Sequence, residues 1–237
     1  MKTLGVIGGL GPMATAYFMQ LIVEMTDAKT DQEHIEVLVH SKPTVPDRTR
    51  YIIKQSDENP LPQLLAMGEG LIHHGAQVLA IPCITAHYFQ HDLDSLSVPV
   101  IHVIEETAKT LKLAGVRCAG IMATDGTIQS RLFQTVLAEH GIETVVHTEE
   151  SQKKVMHIIY EDVKSGRDVE MNLFSDVKEE LNAAGAQVVL LGCTELSMVK
   201  RDHETGAGVL DVMEVLAREA VKACGKLKPE YEDLITR

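Results

Sequence analysis

Two of the four cysteines in this 237-residue chain close closely similar stretches. Gly75-Ala76-Gln77-Val78-Leu79-Ala80-Ile81-Pro82-Cys83 returns 110 positions later as Gly185-Ala186-Gln187-Val188-Val189-Leu190-Leu191-Gly192-Cys193. Paired thiols can move protons. Set on opposite faces of a carbon beside a carboxylate, one thiolate can take the α-proton while the other thiol returns one, in either direction. Each cysteine leads into a threonine, Thr85 or Thr194, placed to cap a following helix, and a helix N-terminus lowers a thiol's pKa toward working pH. Cys118 and Cys224 have no such matched partner and read as core or surface residues. None of the four shows CxxC spacing, so neither a metal knot nor a disulfide framework is expected.

The elements that must hold these cysteines alternate along the chain. Short runs rich in Val, Ile and Leu (Leu4-Gly5-Val6-Ile7, Ile35-Glu36-Val37-Leu38-Val39, Val78-Leu79-Ala80-Ile81) are separated by stretches of helical period at about 12–26, 60–74, 103–114, 127–140, 151–165, 170–184 and 211–224. Gly75, Gly115, Gly141, Gly166, Gly185 and Gly225 follow these stretches as helix stops. The alternation predicts an α/β fold, its mostly parallel sheets flanked by helices. Self-similarity predicts two lobes. Besides the cysteine stretches, Gly5-Val6-Ile7, Gly11, Phe18 and Glu24 recur 115 positions on as Gly120-Ile121-Met122, Gly126, Phe133 and Glu139. Pro99-Val100-Ile101 and the helix opening with Glu105 resemble Gly208-Val209-Leu210 and the helix opening with Glu214. Packing by a pseudo-twofold axis would set the two strand-end cysteines across a cleft, the active site. The expected lobes are 1–103 and 104–211, with a terminal helix, 212–237, returning to the first.

Composition narrows the classes of function. Lys and Arg number 22 against 34 Asp and Glu, a net charge of −12, so nucleic-acid phosphates would be repelled and no nucleic acid is expected as a partner. No apolar run reaches the roughly 18 residues of a membrane span, and the N-terminus lacks the long apolar stretch of a signal peptide. Membrane association is not expected, and a cytoplasmic setting fits the free thiols. His73-His74, His87 with His91, and His102 lack a third ligand at suitable spacing, so no metal site is expected from them. Met13, Met19 and Met25, at helical spacing, read as core.

Pro82-Cys83-Ile84-Thr85-Ala86-His87-Tyr88-Phe89 and Leu191-Gly192-Cys193-Thr194-Glu195-Leu196 resemble the two cysteine motifs of the aspartate/glutamate/hydantoin racemase superfamily, the aspartate racemase branch most of all. Further likeness runs through Gly8-Gly9-Leu10-Gly11-Pro12, Asp31-Gln32-Glu33-His34, Pro46-Asp47-Arg48-Thr49, Ile104-Glu105-Glu106-Thr107 and Ala123-Thr124-Asp125-Gly126-Thr127-Ile128, over nearly the whole chain. The resemblance implies a homodimeric amino-acid racemase that works without pyridoxal phosphate or metal, with Cys83 and Cys193 as its opposed acid and base. It also implies that Arg48 and Lys164 hold the carboxylates of a dicarboxylic substrate, which fits the bidentate reach of a guanidinium. Backbone N–H groups and hydroxyls at Ile84, Thr85, Ala86 and Thr194 would receive the α-carboxylate and stabilise the enediolate that forms as the proton leaves. Glu195 would position the ammonium or pass protons to Cys193. The chain departs from the family at Ile84, where asparagine is usual, so a substrate-binding amide is missing. Aspartate is the first expectation for substrate; glutamate or a broader set of amino acids is the alternative.

Other readings compete. Gly9-Leu10-Gly11-Pro12-Met13-Ala14 matches a dinucleotide-binding turn, but the second strand ends Val39-His40-Ser41 without the acid that takes the ribose hydroxyls. Among relatives by resemblance, decarboxylases that keep one cysteine are disfavoured by the pair here, whereas a maleate-isomerase-like activity is compatible with it. A binding protein that has lost turnover is the non-enzymatic alternative.

Overall fold

In the computed structural model, which describes residues 1–237, the chain runs β1 (Leu4–Gly8), α1 (Pro12–Met25), β2 (Val37–Ser41), α2 (Arg48–Ile52), α3 (Leu61–His73), β3 (Val78–Ala80), a 3-10 helix (Ile84–Phe89) continuing into α4 (Gln90–Leu93), and α5 (Val103–Leu113). Then follow β4 (Cys118–Met122), α6 (Asp125–Gln129), α7 (Leu132–Glu139), β5 (Glu143–Val145), α8 (Glu149–His157), a π-turn (Ile158–Val163), α9 (Met171–Ala183), β6 (Val188–Leu191), α10 (Thr194–Asp202), β7 (Val209–Asp211) and α11 (Val212–Cys224). Two compact units result: Met1–Val103 with Met213–Leu234, and Ile104–Val212 with Ile235–Arg237. The last three residues depart from the expected return of 212–237 to the first lobe. Thr236 is stitched to β7 instead: its carbonyl accepts from Gly208 N–H at 2.8 Å and its own N–H donates to the Val209 carbonyl at 2.9 Å.

Both sheets are parallel, ordered β2-β1-β3 in the first unit and β5-β4-β6-β7 in the second. The repeat seen in the sequence recurs as ladder register, because Gly5 pairs with Leu79 and Gly120 with Val189. Packing repeats as well. A Cβ on Gly5 would lie 2.8 Å from the Cβ of Ala76, and one on Gly120 would lie 3.0 and 3.1 Å from the Cβ atoms of Leu181 and Ala186. A bare backbone on the central strand lets the end of the adjoining helix, α3 or α9, and the turn after it approach that closely. Gln77 and Gln187 also act alike, their side-chain oxygens accepting from Thr3 N–H in one unit and from Arg117 and Cys118 N–H in the other. The units differ at the fourth strand: β7 pairs with β6 over three residues, whereas its counterpart in the first unit is a single bridge, Leu79 to Val100.

Several local expectations shift. The helix expected at 127–140 is broken, because Arg131 takes a left-handed φ of 56° between α6 and α7. The stretch at 151–165 is α8 followed by the π-turn. The second strand starts two residues late, at Val37, where pairing with Leu4 begins. Gly75, Gly115, Gly141, Gly166 and Gly185 have positive φ, as helix stops require, but Gly225 does not; it makes room for Ile35, whose Cγ1 would lie 2.8 Å from an added Cβ. Met25 is core, but Met13 is exposed, since α1 buries the face carrying Ala14, Tyr17, Phe18, Leu21 and Met25. No helix is long and apolar enough to cross a membrane.

Candidate active site

Each of the two repeated cysteines stands where a buried parallel strand gives way to a helix. Cys83 follows β3 by three residues and Cys193 follows β6 by two, both with extended backbone in the position that caps the next helix. The threonines do not cap as expected: Thr194 is the first residue of α10 and Thr85 is the second of the 3-10 helix. Both thiols are free and nearly buried, at 6% and 5% exposure. In parallel sheets this strand end is where ligands are received, since helix N-termini and loops converge there.

Around Cys193 a charged cluster forms within the second unit. Its thiol donates to Glu195 Oε2 at 2.9 Å, and the Thr194 hydroxyl donates to the same oxygen at 3.2 Å. Lys164 Nζ lies 3.9 Å from the other oxygen, Oε1, and 4.0 Å from the centre of the Tyr160 ring. Lys164 closes the π-turn, so it is this departure from α-helix that aims it. The expected lowering of the thiol pKa is overturned at this position. Burial pushes the Cys193 thiol well above its ordinary range, the Glu195 carboxylate pushes the same way, and Lys164 opposes them only in part. Cys193 therefore keeps its proton at neutral pH.

In the first unit the supports are backbone and core. The Arg48 guanidinium is not a solvated loop charge: it is 9% exposed and donates to the carbonyls of Leu10 at 2.6 Å, Pro46 at 3.0 Å and Val45 at 3.4 Å. It thereby ties the glycine turn after β1 to the loop entering α2. Gly9 in that turn has φ 85°, and a Cβ there would lie 2.3 Å from Lys42 N. Tyr51 of α2 packs on Phe89 of the 3-10 helix, ring centres 5.8 Å apart, so Arg48 and Cys83 are held by adjoining elements. Ile84 and Ala86 are buried, and Ala86 N–H donates to the Cys83 carbonyl at 3.0 Å, so that group serves the helix rather than a ligand as expected.

Residues given no role in the site from sequence complete the supports. His87 is buried with Nδ1 2.9 Å from Gln90 Oε1 and Nε2 3.3 Å from the Ile81 carbonyl, which also accepts from Cys83 N–H at 2.7 Å. Burial drives its pKa down to about 4, so the ring is neutral and its single N–H is donated to only one of the two oxygens at a time, as the tautomer sets. Its place four residues after Cys83, one helical turn on, was the available signal. Tyr160, four residues before Lys164, had the same one. Thr124 and Thr127 are buried beside the end of β4, Thr124 accepting from Thr127 N–H, and Gly192 N–H donates to Met122 O at 2.8 Å alongside.

This chemistry has relatives. A family model for the Asp/Glu/Hydantoin racemases matches residues 7–220. The chain is 26% identical over 226 residues to a broad-specificity amino-acid racemase of Bacillus subtilis, covering 92% of this chain and 96% of that protein. It is 24% identical over 185 residues to the glutamate racemase of Corynebacterium glutamicum, 70% and 65% of the two chains. In structure it resembles the Picrophilus torridus aspartate racemase with a TM-score of 0.84 and 27% identity over 98% of each chain. An aspartate racemase homologue from Pyrococcus horikoshii OT3 has the same fold, with a TM-score of 0.76 at 24% identity, covering 94% of this chain and 99% of that one. The chain belongs to the Asp/Glu/hydantoin racemase family and is an isomerase of the racemase type.

Proposed function

We propose that the protein racemises an amino acid, aspartate first, by a two-base mechanism in which Cys83 and Cys193 act on opposite faces of the α-carbon without pyridoxal phosphate. The observation that carries this reading is the matched placement of the two thiols, one at the end of β3 and one at the end of β6, in units that repeat the same register. Cys193 holds its proton in the resting form, which suits it to the role of acid for one enantiomer with Cys83 as the base. The Cys83 sulfur takes the α-proton, the C–H electron pair spreads into the carboxylate as an enediolate, and the Cys193 S–H delivers a proton to the other face. The cycle ends with the proton on Cys83 and the negative charge on Cys193. Glu195, hydrogen-bonded to Cys193, is placed to relay a proton from solvent to that sulfur while Cys83 releases its own to solvent.

Lys164 and Arg48 supply positive charge for a dicarboxylate, and Thr85 and Thr194 supply hydroxyls. Ile84 offers no amide where the family has asparagine, and its side chain is buried. That favours a wider choice of substrate as the second reading, in line with the specificity named for the Bacillus subtilis relative. A homodimer is part of the same reading, and mass measurement in solution tests it.

The test is proton NMR of L- and D-aspartate in D2O, with chiral analysis of the product, followed by glutamate and a panel of other amino acids. Loss of the α-proton signal together with appearance of the opposite enantiomer is expected from the wild type. Neither Cys83→Ser nor Cys193→Ser should racemise. Full racemisation by either variant would remove the two-thiol mechanism, and absence of exchange with every amino acid would remove the racemase reading of this site.

A further inference from the structure

The π-turn that aims Lys164 also assembles a second cluster. His157 and Asp162 are five residues apart, which on an α-helix would set them roughly 140° apart around the axis. Widening to i→i+5 hydrogen bonds, such as Lys164 N–H to Ile159 O at 3.1 Å and Arg167 N–H to Asp162 O at 2.9 Å, brings them to one side. His157 Nε2 lies 3.3 Å from Asp162 Oδ1 and 3.6 Å from Glu170 Oε1. One donor atom from each of the three residues lies within 4.8 Å of the other two. Glu170 opens α9, and its N–H donates to Asp162 Oδ2 at 3.2 Å, which fixes the buried carboxylate with Oδ1 turned to the imidazole.

We propose that His157, Asp162 and Glu170 form a binding site for a divalent transition-metal ion of the zinc class. The spacing is wider than that of the tightest ion pairs in this unit. Charge-assisted N–H···O contacts close to about 2.7–2.9 Å, as His140 with Glu105 at 2.8 Å and Lys154 with Asp176 at 2.7 Å do in the same unit. The His157 contacts are instead held open. Zinc bonds of about 2.0–2.2 Å set tetrahedral ligand edges near ~3.4 Å, which 3.3 and 3.6 Å match. One imidazole nitrogen and two carboxylate oxygens suit zinc and its neighbours better than calcium, which takes about 6–8 oxygens at longer range. Three protein ligands leave a fourth position for water. The ion would pin the end of α8, the π-turn and the start of α9 together, closing the exposed loop that carries Arg167.

The experiment is zinc titration calorimetry on the full-length wild type and its variants after chelator treatment, with trypsin cleavage after Lys164 and Arg167 followed in parallel. One zinc equivalent present in the wild type and absent from Asp162→Asn is expected, with His157→Gln weakened at least tenfold and zinc slowing the cleavage only where it binds. His157→Gln changes a half-exposed side chain, so it keeps the test open if Asp162→Asn does not fold. Equal zinc stoichiometry and affinity in wild type and His157→Gln would place any binding at other side chains, the free thiols included, and overturn the proposal. So would no binding at all.

Discussion

Replacing Arg48 by methionine should unfold the turn that the first unit builds around Leu10. The guanidinium makes two short bonds, to Leu10 O at 2.6 Å and Pro46 O at 3.0 Å, and a longer one to Val45 O at 3.4 Å. Hydrogen bonds to a charged group are each worth about 1.5–3 kcal/mol, so the two short ones total about 3–6 kcal/mol. Releasing a buried charge returns part of that. A net loss of about 3 kcal/mol is expected, which for a chain of this size lowers the melting temperature by roughly 6–12 °C. Arg48→Lys keeps the charge but lacks the planar fork that spans two carbonyls, so it should lose about half as much. Urea and thermal denaturation of the three proteins, followed by circular dichroism, measure this. A methionine variant within about 1 kcal/mol of wild type, or a lysine variant equal to it, would refute the scaffolding role. If α-proton exchange vanished while stability held, Arg48 would be a substrate ligand alone.

Glu195→Gln removes the negative charge that helps hold up the Cys193 thiol, so the pH at which Cys193 is alkylated by iodoacetamide should move down. A midpoint that stays or rises, mapped by mass spectrometry, contradicts the electrostatics. His87 binds its proton at a pKa of about 4 in the folded protein, below the ordinary 6.5 of the unfolded chain. The unfolded state therefore takes up a proton first as pH falls. The stability contributed by neutral His87 is complete above pH 6.5 and is lost progressively down to pH 4, by about 3 kcal/mol in all. A His87→Gln variant whose stability falls just as steeply over that window would exclude His87 as the cause. Gly5→Ala should cost about 1–3 kcal/mol by overpacking, because its Cβ would meet Leu79 Cδ2 at 2.6 Å and Ala76 Cβ at 2.8 Å. Gly70→Ala, in α3 with nothing within 4 Å, should instead stabilise by up to about 1 kcal/mol, and equal effects in denaturation curves would refute the packing argument.

Local rules in the amino-acid order are enough for the parallel α/β class, the repeated unit and the two strand-end cysteines. Apolar runs mark the strands, glycines end the helices, and the repeat carries one register twice because Gly5 and Gly120 sit under matched residues, Leu71 and Ala76 in one unit and Leu181 and Ala186 in the other. Ligands gather at the carboxyl ends of parallel strands, so the sequence alone marks where Cys83 and Cys193 stand. The electrostatics needed the folded chain. A helix N-terminus argued for an easily ionised Cys193, but burial and a carboxylate 2.9 Å away overrule that dipole. Burial of a side chain is set by everything packed over it, and no local window encodes that. The same holds for Arg48, whose partner Leu10 is 38 residues away, and for the π-turn, where one widened turn sets the directions of Lys164, His157 and Asp162. Sequence period fixes which residues share a face only while the helix keeps its pitch, and here the pitch changes at the residues that matter.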